Sequence, residues 1–128
     1  SLVQDAMVLS MHKDSEMIVF HIVKVLIWEA AKATGEYRPA SLESEGFIHF
    51  SKVEQVVATA NRFYRGQDGL VLLEVSCDRL PEPLRYDAVP GHGSFPHLYV
   101  PLPVSAVTKA WPFPPNADGA FSLPFPQR

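Results

Sequence analysis

The sequence predicts a small α+β domain, and three observations lead there. Residues 17–23 and 70–75 are short β-branched or aliphatic runs of strand length. Residues 25–34 and 51–64 carry helix-forming composition or apolar residues at helical spacing. The 128 residues are 47% apolar, enough for one domain with a real core and too few for two ordinary ones.

Residues 1–16 show no sustained period and end in His12-Lys13-Asp14-Ser15-Glu16, so they read as an extension before the domain, with Met17 a candidate natural start. The strand over residues 17–23 is interrupted by one polar residue, His21. A first helix over about 25–34 follows, stopped by Gly35 but lacking a good N-cap. Pro39 then biases Arg38 toward extended angles, and residues 41–46 form a turn or one helical turn.

The stretch Glu45-Gly46-Phe47-Ile48-His49-Phe50-Ser51 joins that turn to a short strand and a helix start. On an extended strand Phe47, His49 and Ser51 share one face and Ile48 and Phe50 the other. Ser51 and Glu54 have capping-box spacing, and the stripe Val53, Val56, Val57, Ala60 and Phe63 or Tyr64 predicts a second helix ending near Gly66. The continuous apolar run 70–75 predicts a central strand covered on both faces. Residues 84–87 form a short strand, 89–94 a flexible loop with two glycines, and 104–111 a turn followed by a last strand. Seven of the twelve prolines lie from Pro101 onward, so residues 114–128 are expected as a proline-rich arm on a domain spanning 17–113.

A net charge of −3 and 20% charged residues give no basic surface for general nucleic-acid binding. The single cysteine, Cys77, excludes an internal disulfide and a multi-cysteine metal site within the chain. No apolar run approaches the roughly 18 to 20 residues of a membrane span. A cytoplasmic protein with a small-molecule ligand is the expectation.

His21, His49 and His97 lie on or beside predicted strands among apolar neighbours. Neutral imidazole both donates and accepts, so a cluster of them can orient a substrate or move a proton. A metal would need all three to meet; their spacing matches no compact metal motif, and no metal site is expected. Each also has a plainer role, a buried ring bonded to a backbone carbonyl. Ser51 is better explained as a helix cap than as a nucleophile, although a cap hydroxyl can face an anion. Arg38 and Arg62 are candidate clamps for phosphate or carboxylate; Tyr37, Tyr64 and Tyr99 can stack on a flat ligand, although aromatic residues at these spacings are more often core.

Taken together, Tyr37-Arg38, the segment from Ser41 to Ser51, Asn61-Arg62-Phe63-Tyr64-Arg65-Gly66, Leu72-Leu73-Glu74-Val75 and Phe95-Pro96-His97-Leu98-Tyr99 resemble domain-of-unknown-function family 952. The resemblance covers about residues 17–113, with Val100 standing where the family usually has glycine. It implies an ADP-ribosyltransferase-like fold, a split, bent mixed β-structure with two main helices, whose cleft holds NAD in active relatives. His21 is similar in placement to the histidine that anchors the nicotinamide ribose in toxin-type transferases, and Ile48-His49-Phe50-Ser51 resembles the histidine strand of RNA 2′-phosphotransferases. No late Glu-x-Glu pair accompanies them. The expected site therefore has His21, His49 and His97 as its chemical groups, with Arg38, Ser51, Arg62 and Tyr99 binding a NAD-like or phosphorylated nucleotide. A noncatalytic domain gripping a metabolite or peptide in the same cleft is the alternative.

Overall fold

A computed structural model describes residues 17–126, so the expectation of an extension over residues 1–16 lies outside the described residues. The chain begins with strand β1 (Ile18–Lys24) and passes directly into helix α1 (Val25–Thr34). No side chain caps α1; instead the Val25 N–H donates to the Gly69 carbonyl at 2.8 Å, a tertiary contact that satisfies one of the free amides of the first turn. The other end closes as expected, with Gly35 left-handed at φ 87° and its N–H on the Ala31 carbonyl. Trp28 and Ala31 face the core, and Leu26 faces outward.

Strand β2 (Glu36–Tyr37), helix α2 (Ala40–Ser44) and strand β3 (Ile48–His49) follow. A 3-10 turn, Val53–Gln55, leads into helix α3 (Val56–Phe63). Here the expected Ser51 cap is corrected. The backbone of Ser51 is taken up in a two-way bridge with Phe20, at 2.9 and 2.8 Å, so the helical segment starts later. Gln55 Oε1 reaches back to the Lys52 N–H at 2.9 Å in place of the predicted glutamate. That shift re-aims the predicted stripe: Val56 and Ala60 are fully buried, Tyr64 is half-buried, and Val53 and Phe63 are exposed.

Strand β4 (Leu70–Ser76) is followed by the hairpin β5 (Arg85–Val89) and β6 (Gly93–Leu98), then by the short β7 (Leu102–Pro103) and, after a 3-10 turn, β8 (Val107–Pro112). The expected flexible loop at 89–94 is a closed turn instead, with the His92 N–H on the Val89 carbonyl and Gly91 and Gly93 at positive φ. Pro96 lies in the middle strand of a sheet, where proline normally costs a ladder bond. Its carbonyl accepts from the Phe50 N–H just beyond β3, so its missing donor falls where β3 has already ended. No non-glycine residue has positive φ among the described residues, so the turn at Val100 needs no glycine.

The strands form three sheets, β1-β4-β8, β2-β7 and β3-β6-β5. Every one of these pairings is antiparallel, which corrects the expected mixed β-structure. Among the described residues three α-helices accompany them, the third being the single turn of α2 between the two expected ones. No described helix is long and apolar enough to cross a membrane.

Alternation along β1 and β4 divides the interior into two cores. Val19, Val23, Val71, Leu73 and Val75 enter one, with Trp28, Ile48, Phe50 and Leu98. Phe20, Ile22, Leu70 and Leu72 enter the other, with Val56, Phe113 and Phe121. The proline-rich segment after β8 thus completes the second core. Phe121 is 3% exposed, its ring 4.9 Å from Phe113, and its N–H donates to Asn61 Oδ1 at 2.8 Å.

This packing predicts that Phe121→Ala lowers the free energy of unfolding by about 3 kcal/mol or more. Phe63→Ala, on the exposed side of α3, should change it by less than about 0.5 kcal/mol. Urea titration followed by circular dichroism measures both, and equal costs at the two positions would contradict the assignment of the C-terminal segment to the core.

Candidate functional site

His21 sits on the first-core face of β1, between Val19 and Val23, where an apolar residue would ordinarily stand. Both of its ring nitrogens are engaged. Nδ1 lies 2.5 Å from the His49 carbonyl and Nε2 2.7 Å from the Tyr37 hydroxyl. Since a carbonyl only accepts, Nδ1 carries the proton and Nε2 accepts from Tyr37. Burial beside Tyr37 and Phe50 lowers the His21 pKa to about 4, desolvation outweighing the favourable backbone bond. Burial likewise pushes the Tyr37 hydroxyl up. His21 is therefore a neutral strut that ties β1 to β2 and β3.

His49 contributes two separate groups. Its carbonyl points inward to His21, while its exposed ring points outward, with Nε2 3.1 Å from Glu45 Oε2. Across the β3–β6 pair His49 stands opposite His97, and the two rings meet edge to face at 5.1 Å.

His97 is 3% exposed, so its polar atoms must find partners within the protein or leave one unmet. Nδ1 is 2.7 Å from Asp87 Oδ2, and the Tyr99 hydroxyl donates to the same oxygen at 2.6 Å. Nε2 meets no hydrogen-bond partner among the described residues. The bond from Tyr99, and then that from His97, hold the Asp87 carboxyl below the usual carboxylate range, and the same bond raises the Tyr99 hydroxyl. Arg85, opposite His97 on β5, lies 4.3 Å over the Tyr99 ring.

Phe47 joins these groups. It stacks on His97 at 4.1 Å and also contacts the rings of His49 and Tyr99. Its carbonyl accepts from Ser41 Oγ at 2.8 Å, and the preceding Gly46 has φ 91°, so the turn that presents the ring is anchored on one side and glycine-dependent on the other.

The other expected site residues fall elsewhere. Arg38 Nε donates to Glu36 Oε1 at 2.8 Å, and Arg62 lies over its neighbour Phe63; no hydrogen bond joins either to the histidines. Ser51 is buried, and its hydroxyl points to Thr59 Oγ1 at 3.5 Å. The expected common face of His49 and Ser51 is thus broken, because β3 ends at His49 and Ser51 turns into the bridge with Phe20. Among the described residues no group of three histidine, cysteine or acidic side chains is placed to hold a metal. Phe47, expected on the same face as His49, does meet its ring, whereas Glu45, Asp87 and Arg85 carry no local motif that marks them as site groups. Asp87 and Arg85 were legible in principle, since a hairpin closed at Pro90-Gly91-His92 sets Arg85 opposite His97.

What the fold and this cluster define is a small α+β domain of antiparallel sheets whose paired histidines are backed by carboxylates. The family described as "Protein of unknown function (DUF952)" matches residues 22–110, and the chain belongs to it. The crystal structure of protein CC0527 from Caulobacter crescentus is similar at 41% identity and a TM-score of 0.76, over 83% of this chain and 94% of that one. The solution NMR structure of CC0527 is similar at 42% identity and a TM-score of 0.71, over 80% and 90%. No curated protein matches the chain.

The His21 environment sets a pH dependence. Its folded pKa of about 4 lies below the ordinary 6.5, so between those values the unfolded chain binds the proton more readily and stability rises with pH. The contribution is complete above about pH 6.5 and is lost as pH falls toward 4. With the ring partly reached by solvent, acidification from pH 7 to 5 should cost about 1–2 kcal/mol through this residue. Urea unfolding at pH 7, 6 and 5 measures it, and His21→Gln should flatten the slope relative to the natural chain.

Proposed function

We propose that the chain binds an NAD-like or phosphorylated nucleotide against the face formed by Phe47, His49, His97 and Tyr99, on a scaffold related to the ADP-ribosyltransferase-like folds. The observation that carries this reading is His97. A nearly inaccessible imidazole, oriented by a carboxylate and left with one nitrogen unmet, stores an unfavourable desolvation cost of about 1–3 kcal/mol that a ligand contact relieves. Buried polar groups without partners are uncommon enough in native proteins to mark functional positions.

The neighbours suit a nucleotide. Phe47 and Tyr99 offer aromatic surface to a base, and Arg85, rather than Arg38 or Arg62, supplies a cation for phosphate. His21 supports the site from beneath and does not touch the ligand. The relation to transferases is what the family resemblance implies for the fold, and a fold does not by itself bring chemistry. Binding without turnover is favoured by one specific feature: both nitrogens of His21 are already bonded, which leaves it no part in proton transfer.

Isothermal titration of the chain with NAD, ADP-ribose and a 2′-phosphorylated RNA oligonucleotide tests the reading. Binding to at least one is expected, weakened about tenfold or more by His97→Ala, equivalent to about 1.4 kcal/mol. No binding to any of the three at millimolar concentration would overturn it. Chromatography of the bound ligand after long incubation then separates a transferase from a binding domain.

A further inference from the structure

We infer that His97 Nε2 is a hydrogen-bond acceptor that takes a neutral hydroxyl of the ligand, so that this face selects a sugar hydroxyl over a phosphate. The inference rests on the nucleotide reading above and adds the polarity of its central contact. It follows from what Asp87 Oδ2 can do. An ionised carboxylate offers only lone pairs, and two groups converge on that one oxygen, the Tyr99 hydroxyl at 2.6 Å and His97 Nδ1 at 2.7 Å. Both must donate. A neutral imidazole has a single ring proton, and with that proton on Nδ1 the opposite nitrogen presents a bare lone pair. The Tyr99 hydroxyl has spent its proton in the same way, which leaves its oxygen able only to accept.

The surrounding charge favours the same ligand. Around the imidazoles, the carboxylates of Asp87 and Glu45 face the single guanidinium of Arg85, one more negative charge than positive. A phosphate oxygen at Nε2 would meet a lone pair within a region of net negative charge. An O–H meets an acceptor polarised by the carboxylate behind it. Arg85 lies over the Tyr99 ring, 4.3 Å from its centre, and can serve a phosphate elsewhere on the ligand. The Phe47 ring covers one face of the imidazole at 4.1 Å, so the hydroxyl must come to Nε2 at the ring edge, in the plane of the imidazole.

Two measurements on the whole chain test this. Long-range nitrogen-15 NMR of the free protein at neutral pH should show His97 with a protonated Nδ1 and an unprotonated Nε2; a protonated Nε2 overturns the inference. Titration with ADP-ribose and with analogues lacking single ribose hydroxyls should show one deletion that weakens binding about tenfold or more. In His97→Phe, which keeps an aromatic ring between Phe47 and the sheet, that difference should vanish. Equal affinity for every deoxy analogue, or inorganic phosphate that protonates Nε2 on binding, overturns the hydroxyl assignment while leaving nucleotide binding intact. Failure of all nucleotides to bind removes the nucleotide reading and the sugar contact with it, whatever the tautomer.

Discussion

The burial of β4 on both faces is the constraint from which the rest of the structure follows. Leu70, Leu72, Leu73 and Val75 are at most 3% exposed, so each face of the strand needs its own cover. One face receives α1 and the sheet that carries β3 and β6, the other α3 and the segment after β8. β1, paired along the whole of β4, repeats the division residue by residue. His21 is the one polar side chain on the first-core face of β1, and its bonds to Tyr37 and to the His49 carbonyl keep that intrusion from being a defect. The Phe20–Ser51 bridge then fixes the end of β3 against β1. The position of the His49–His97 pair is thereby set from the strand outward.

The three histidines illustrate how neighbours, more than residue type, decide what an imidazole does. His21 has its capacity filled by a carbonyl and a phenol and is held neutral by burial. His49 shows its ring to solvent beside Glu45. His97 is as deeply buried as the aliphatic core yet has a carboxylate on one nitrogen only. Of these, only the last arrangement leaves an unmet demand, and unmet demand is what distinguishes a site from scaffolding.

The parts of the fold legible in the sequence are those that local residues decide. Helix α1 with its Gly35 stop, the apolar run of β4 and the turn before β8 are all governed by residues within a few positions of each other. The Ser51 cap was a sound local reading that lost to a distant one, since pairing with Phe20 claims the backbone before a helix can begin there. Pro96 hid β6 for the same reason: the proline argues against a central strand until Phe50 is known to lie beside it. In the site, the histidines were visible as polar residues in apolar company. Their partners are less so: Glu45 looks like an ordinary surface carboxylate, Asp87 emerges only through the register of its hairpin, and Arg38 and Arg62, the expected clamps, have closer partners in Glu36 and Phe63.

The divided labour of His49 has an evolutionary corollary. What anchors β3 to β1 at this position is a main-chain carbonyl, which every amino acid possesses, whereas what faces outward is a side chain. Architecture and chemistry are therefore encoded in different atoms of one residue. A lineage can vary the ring, and so retune the reactivity of the face beside His97, without loosening the joint beneath it.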